Sequence, residues 1–374
     1  MCENKFERKQ LMYKPNYTIT HNLLTYLNRI EAAKALIENA PLVPAWEAKF
    51  RDEALTRTVH YGTKIEGNEL TAQQAQQVVR LDATIDVEEV ERETGIMARE
   101  RDIQEVINYR NVIKWIDQQD RQISSNLFSI ETLKNLHRLT IFGLIDEKYI
   151  GAYRDKQVIV KSAADTGVVF RPPVSVEIPF LIEEFFNWIN DIQTQQLPAI
   201  FRAAIIHYQL VYIHPFIEGN GRTARALATL LLYTTGYDFK RFFSLEQYFD
   251  KDVKAYYDAL LSVQQNQDHD ITYWLEYFCY GLAIEIERVK DQVLRLSKDL
   301  KLKKELGHQV ALSERQIIIL ELLQNQGTVT SQDAQKILPN VSVDTILRDM
   351  KDLIEKEVIK KHGVTKGVTY SLKE

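Results

Sequence analysis

The sequence predicts a mostly α-helical protein, and three observations carry that expectation. The 374 residues include only 14 Gly and 9 Pro, about half the combined share of an average protein. Hydrophobic residues make up 45% of the chain, enough for sizeable cores. In each segment the apolar positions recur at three- and four-residue spacing, the period of a helix with one buried face. A β-rich fold would need many more turn residues, and the same composition excludes collagen-like, low-complexity and disordered classes. At this length two or three domains are expected.

Each element follows in order. Leu23, Leu24, Leu27, Ile30, Ala33, Leu36 and Ile37 mark a first helix, which Pro41 and Pro44 end. A second runs from Trp46 to about His60, is interrupted at Gly62–Asn68, and gives way to a helical pattern that resumes from Thr71. Alternating acids and bases from Glu88 to Glu105 predict a solvated helix face. Ser129 has the chemistry of an N-cap, with Leu133, Leu136 and Leu139 on one face beyond it. The one β-like stretch, Gln157–Lys161, pairs across Ala164–Gly167 with Val168–Phe170, and Pro172–Pro173 closes this lone hairpin. Helices resume at Pro179, near Pro198 towards His214, from Gly221 to Tyr233, and onward to Ile286. A basic helical linker carries Val289, Val293, Leu296 and Leu300 at heptad-like spacing.

The last segment begins at Leu312. Its first helix is marked by Ile317, Leu320 and Leu323, the second is capped by Thr330 or Ser331, and the third spans Val341 to Lys356. A hairpin from Val358 to Leu372 follows, turning at His362–Gly363 or Lys366–Gly367. Helix, helix, helix, hairpin is the order of a winged helix-turn-helix. The expected organisation is a helical segment at 1–122, a core at 123–286, the linker at 287–307 and the winged helix at 308–374.

Formal net charge is −5, from 47 Lys+Arg against 52 Asp+Glu, which gives no global case for nucleic acid or an anionic membrane. Cys2 and Cys279 are the only cysteines, too few for a disulfide framework or a cysteine zinc site. Met1 to Asn16 is polar, and no apolar run approaches the roughly 18 residues of a membrane helix. A cytoplasmic protein is expected.

The chemistry is concentrated in His214-Pro215-Phe216-Ile217-Glu218-Gly219-Asn220-Gly221-Arg222-Thr223-Ala224-Arg225. Gly219 and Gly221 flank Asn220 just before a strong helix. Glycines allow positive φ and close backbone approach, and a helix N-terminus offers free N–H groups at its positive dipole end. Together they form an anion nest suited to phosphate. Arg222 and Arg225 lie three apart on the first helical turn and project to one face, where they can clamp further phosphate oxygens. Glu218 is placed to hold a hard cation such as Mg²⁺ across the phosphates. His214 is the one side chain of the stretch that takes a proton near neutral pH. A phosphate site with a metal ligand and a base, but no protein nucleophile, points to transfer of a phosphorus-containing group to an outside hydroxyl. No Gly-x4-Gly-Lys-Ser/Thr is present, so this is not a P-loop.

That stretch resembles the signature of the Fic family, His-Pro-Phe-x-Asp/Glu-Gly-Asn-Gly-Arg-x-x-Arg, at every fixed position, and the resemblance covers about Ile123 to Ile286. It implies AMP transfer from ATP to a Ser, Thr or Tyr hydroxyl of a target protein, with release of pyrophosphate. His214 would deprotonate the hydroxyl, Glu218 would hold Mg²⁺, and Gly219, Asn220 and Gly221 would bind the α- and β-phosphates. Arg222 would contact the β-phosphate, Arg225 the γ-phosphate, and Phe216 would anchor the loop in the core. A hairpin flap built from Val158, Ile159, Val160, Val168, Val169 and Phe170 would pair with the target's extended segment. Self-modification and a homo-oligomer are compatible with the same reading.

Thr63-Lys64-Ile65-Glu66-Gly67-Asn68 resembles the family's inhibitory motif, Ser/Thr-x-x-x-Glu-Gly/Asn. Glu66 would pair with Arg225 and displace the ATP γ-phosphate, one carboxylate competing with one phosphate for one guanidinium. Here Gly62 stands four residues before Glu66, with the hydroxyl one place later at Thr63. Alternatives within the resemblance are removal of AMP from modified protein, with Glu66 activating water, and a DNA-bound regulator that uses the nucleotide site as a sensor. His207 and His137 are read as structural, and Tyr208, Tyr212 and Tyr233 as core. Residues 308–374 balance 9 Lys+Arg with 9 Asp+Glu. The candidate reading helix holds Asp344, Asp349, Asp352 and Glu355 against Arg348, Lys351 and Lys356. With only Lys360, Lys361 and Lys366 of the wing as a basic feature, protein docking or dimerisation is favoured over DNA.

Overall fold

The computed structural model describes residues 13–42, 44–81, 85–119, 127–161, 168–305, 313–339, 341–363 and 368–373. The chain forms two compact units, Met1–Ser297 and Lys298–Glu374. The first is helical, with one small hairpin; the second is a three-helix unit with a small antiparallel sheet.

In the first unit, α1 (His21–Asn39) is capped by Thr20, whose hydroxyl accepts from the Leu23 N–H at 3.2 Å. Helix α2 (Pro44–Lys64) then runs four residues past the expected stop at His60. Gly62 does not break it, and the buried Thr63 hydroxyl donates back to the Val59 and His60 carbonyls, both at 3.0 Å. The turn that carries Glu66 therefore begins at Ile65. Helix α3 (Ala72–Arg80) opens on a Thr71–Gln74 capping box, and α4 (Val87–Thr94) ends at Gly95 in the left-handed conformation.

The expected solvated face over Glu88–Glu105 holds for the acids and bases up to Arg101, all exposed, and helix α5 (Glu100–Asp117) corrects it beyond that point. Two helices share that stretch, and on the second Asp102 and Glu105 are only 3% and 4% exposed. Each buried acid has partners: Arg99 Nε stands 2.8 Å from Asp102, and Asn68 Nδ2 donates to Glu105 at 3.0 Å.

Helix α6 (Ile130–Ile141) is capped by Ser129. The hairpin follows, with β1 (Val160–Lys161) antiparallel to β2 (Val168–Phe170) and Val160 opposite Phe170. Its first strand is shorter than expected, since Val158 and Ile159 precede β1. The feet of the hairpin are tied by side chains instead of a ladder: Gln157 Nε2 donates to Pro172 O at 2.9 Å, and Arg154 Nη2 donates to Pro173 O at 2.5 Å. The expected turn, Ala164–Gly167, lies outside the described residues.

Helices α7 (Ile178–Asn190), α8 (Ile192–Gln195), α9 (Ala199–Ile213), α10 (Asn220–Thr234), α11 (Leu245–Lys251), α12 (Val253–Gln264) and α13 (Thr272–Glu305) follow. Helices α9 and α10 are packed together and buried nearly all round, the pattern of helices at the centre of a core. His207 on α9 is fully buried, its Nε2 3.1 Å from the Tyr256 hydroxyl. Among the described residues no helix is long and apolar enough to cross a membrane.

The second unit contains α14 (Glu314–Gln326), β3 (Thr328–Val329), α15 (Ser331–Ile337), α16 (Val343–Glu355), β4 (Ile359–His362) and β5 (Thr369–Leu372), with sheet order β3-β5-β4. This is the expected winged-helix order plus one strand, β3, whose two residues are too few to show a period. Thr330 is the cap of α15. Two acids of α16 are spent inside the unit: Asp349 pairs with Arg315 at 2.8 Å, and Asp352 accepts from Gln316 at 2.5 Å. Counting them as an acidic reading face was therefore too strong. Lys360 and Lys361 lie on β4, and Lys366 falls outside the described residues.

Candidate active site

The signature stretch leaves α9 and enters α10 through a loop closed on itself. His214 ends α9 in the left-handed region at φ 51°, its N–H still donating to Leu210 O at 3.0 Å. Asn220 Oδ1 accepts from the Phe216 N–H at 2.9 Å, and Asn220 Nδ2 donates to Phe216 O at 2.8 Å. The Asn220 side chain therefore braces the loop. Nδ2 keeps a second hydrogen beyond this bracket, so the bracket does not exclude the expected phosphate contact. Phe216 is fully buried beneath the loop, as a core anchor should be. Gly219, at φ 78°, precedes the N-terminus of α10, where the first helical N–H groups have no intrahelical acceptor.

His214 has the geometry of a base. Its Nδ1 lies 3.3 Å from Val211 O. A carbonyl only accepts, so Nδ1 carries the hydrogen and Nε2 keeps its lone pair. Burial, with the Arg154 charge adding to it, lowers the imidazole from 6.5 to about 4, against the opposing pull of Val211 O and Glu66. The ring is neutral at pH 7. Arg154, fully buried, donates Nε to His214 O at 2.8 Å, and its own N–H donates to Pro215 O at 2.8 Å. The same side chain reaches Lys156 O and Pro173 O, so one guanidinium joins the base to both feet of the hairpin. On the hairpin, Phe170 packs against Tyr212 of α9, ring centroids 5.8 Å apart, two residues before His214. Ile159 is exposed, and Val158 and Val160 are half-buried; Val168 and Val169 belong to β2.

Arg222 and Arg225 are buried on the first turns of α10. Arg225 Nη2 donates to Glu66 Oε1 at 2.7 Å and to Gly62 O at 2.8 Å. Burial alone would raise the Glu66 carboxyl, but Arg225 and Arg222 together hold it below its ordinary value. Glu66 approaches so closely that a Cβ on Gly221 would stand 2.5 Å from its Oε1, so a side chain at 221 would have to displace the Glu66 carboxylate. At Gly62, where the chain departs from the inhibitory-motif pattern, a Cβ would stand 2.4 Å from the Tyr109 ring. Tyr109 fills the space that a side chain at 62 would need, and the Thr63 hydroxyl is turned to its own helix.

Glu218 is half-buried and ion-paired with Arg101, with Arg222 Nη2 at 3.6 Å. Arg222 Nη1 also faces Glu105 at 3.3 Å. Among the described residues, the buried Arg222 Nε and Arg225 Nε have no hydrogen-bond acceptor, and Arg222 Nη1 has only its ion pair with Glu105. Unspent cationic donors beside a helix N-terminus suit an anion with several oxygens. Among the described residues there is no cluster of three or more metal-ligating side chains. Glu218 alone suits a cation such as Mg²⁺, which one carboxylate and substrate phosphates can hold.

The structure thus brings Glu66, His214, Glu218, Gly221, Arg222 and Arg225 into one site. Arg101, Glu105 and Arg154 belong to it and were not singled out in the sequence. Their partners lie far along the chain, and the first two sit in the charge run taken for solvated surface.

Comparison with known proteins agrees with this fold. Residues 127–232 match the Fic/DOC family, and residues 315–367 match the DeoR-like helix-turn-helix domain. The chain is similar to a protein named protein adenylyltransferase Fic from Drosophila mojavensis, 28% identical over 187 residues. That match covers 50% of this chain and 33% of the relative, so the chain spans about a third of the length of the curated relative it matches. Among solved structures, a Fic family protein from Desulfovibrio desulfuricans G20 aligns with TM-score 0.63 at 22% identity, covering 96% of this chain and 98% of the other. Fic-1 from C. elegans aligns with TM-score 0.53 at 22% identity over 74% of each chain. The chain thus carries a region that matches the Fic/DOC family, residues 127–232, followed by one that matches the DeoR-like helix-turn-helix domain, residues 315–367.

Proposed function

We propose that the protein transfers AMP from ATP to a Ser, Thr or Tyr hydroxyl of a target protein, and that Glu66 holds it inactive. The observation that carries the reading is the Glu66–Arg225 pair beside buried arginine donors with no acceptor. A carboxylate occupies one guanidinium where a phosphate would compete for it, and Arg222 Nε and Arg225 Nε still lack a hydrogen-bond acceptor among the described residues.

In the reaction, the target oxygen attacks the α-phosphorus as its proton passes to His214 Nε2. The bond from the α-phosphorus to the bridging oxygen of the β-phosphate breaks, and pyrophosphate leaves. Neutral His214 is ready to accept the proton at pH 7. Arg222, Arg225 and the N–H groups of Gly219 and Gly221 neutralise charge on the phosphates. Glu218 would hold Mg²⁺, which when bound neutralises charge on the leaving pyrophosphate. The hairpin, tied to the base through Arg154, aligns the target strand. Glu66 opposes all of this by keeping Arg225 from the γ-phosphate.

The test is intact mass after incubation with ATP and Mg²⁺, wild type beside Glu66→Gly. A gain of one AMP by the variant, or by a target added to it, and little by wild type is expected. Equal labelling of the two would overturn the inhibitory role, and labelling of neither, with or without candidate targets, would count against the transferase.

A further inference from the structure

We propose that His137 is a positioning residue that aims the Gly219 N–H at the nucleotide's phosphates, an inference that rests on the function proposed above. His137 lies on α6 and is fully buried. Its ring stacks on Phe216 with centroids 3.7 Å apart and planes 5° from parallel. Its two nitrogens are both engaged: Nδ1 accepts from the Gly151 N–H at 2.9 Å, and Nε2 stands 3.0 Å from Glu218 O.

These contacts fix the tautomer. A backbone N–H can only donate, so Nδ1 carries no hydrogen and the ring is neutral. Nε2 then carries the hydrogen and donates to the Glu218 carbonyl. Burial lowers this histidine to about 4, so the arrangement holds at neutral pH.

The consequence lies one bond further on. Among the described residues no peptide is cis, and in a planar trans peptide the C=O and the following N–H point in opposite directions. With Glu218 O held on His137, the Gly219 N–H points away from it. No acceptor for that N–H occurs among the described residues. A peptide followed by glycine flips at little cost, because glycine accepts either sign of φ. Asn220 braces Phe216, not this peptide, so the hydrogen bond from His137 is what holds the Glu218–Gly219 peptide in the orientation that leaves one donor free. The site gains that donor without a side chain.

The test uses two amides that divide the roles of the ring, in the full-length Glu66→Gly protein. His137→Gln places a donor near the Nε2 position and can reach Glu218 O. His137→Asn places an acceptor near Nδ1 for Gly151 and has no donor that reaches Glu218. Both lose the stack on Phe216, so that loss cancels between them. Affinity for α,β-methylene-ATP and for adenosine is measured by calorimetry, with thermal unfolding as the check on folding. His137→Asn is expected to bind α,β-methylene-ATP about tenfold or more weakly than His137→Gln, the scale of one hydrogen bond to a charged group, while adenosine affinity differs less than about twofold. Equal affinity of the two variants for α,β-methylene-ATP, or parallel loss of both ligands in His137→Asn, would overturn the positioning role. A parent that binds adenosine but not α,β-methylene-ATP would overturn the nucleotide reading itself, and this inference with it. If His137→Asn does not fold, the comparison of His137→Gln with the parent decides, and a loss of tenfold or more in His137→Gln counts against the role.

Discussion

Two walls of the site face each other and are built on opposite plans. The loop from His214 to Arg225 is one continuous stretch, shaped by the Asn220 bracket on Phe216 and by Arg154 on the His214 carbonyl. The opposite wall is assembled from the end of α2 and one face of α5, and it touches the loop through charged side chains: Glu66 on Arg225, Arg101 on Glu218, Glu105 near Arg222. The first wall is held by backbone contacts within a buried core. The second is held by ion pairs, and two of its contacts, Glu66 and Arg101, reach the solvent. A fixed surface beside a releasable one suits the reversible block proposed for Glu66, since the carboxylate can leave without deforming the loop.

The largest effect should come from the fixed wall. In a Glu66→Gly background, His214→Ala is expected to slow AMP transfer at least about 100-fold, read as incorporation from ATP radiolabelled at the α-phosphate; a loss under tenfold removes His214 as the base. The same background sharpens the comparison through pH. The base works as the neutral ring, so kcat/KM should fall as pH drops through its folded value, placing the acid limb near 4 and not at the ordinary 6.5. A limb at 6.5 would mean that nucleotide or target binding undoes the effect of burial.

At the junction of α2 and α5, Gly62→Ala sets a methyl 2.4 Å from the Tyr109 ring and should cost about 1–3 kcal/mol in denaturant unfolding. An unchanged midpoint would show that Tyr109 gives way freely. The smallest effect belongs to the releasable wall. Arg101→Ala removes a partly exposed pair worth about 0.2–1 kcal/mol. It should lower the Mg²⁺ needed for half-maximal α,β-methylene-ATP binding by about two- to fivefold. No change in that requirement would mean that Arg101 does not compete for Glu218.

The difference between the walls also decides what could be read from the sequence. The loop could be read as a phosphate site because its candidate residues are contiguous and each type has one chemical use there; the Asn220 bracket on Phe216 was not foreseen. The α5 contribution was not legible. Alternating charge says nothing about which side is buried, and Asp102 and Glu105 are buried because partners from elsewhere in the chain satisfy them. His137 was read as structural, which its burial bears out. Its reach to Glu218, 81 residues away, leaves no mark on local spacing. The helical fold followed from periodicity over long segments, whereas β1 and β3, with two residues each, are below the length at which a period can be seen.

Gly62 and Tyr109 show how the turn that carries Glu66 is seated against α5. The ring of Tyr109 occupies the volume that a hydroxyl-bearing side chain at position 62 would take, and its own hydroxyl donates to Glu246 at 3.0 Å. The two positions thus share a fixed quota of space. Enlarging one requires shrinking the other, so a Ser at 62 should be tolerated only when 109 becomes small. Positions on separate helices are in this way bound to change as a pair.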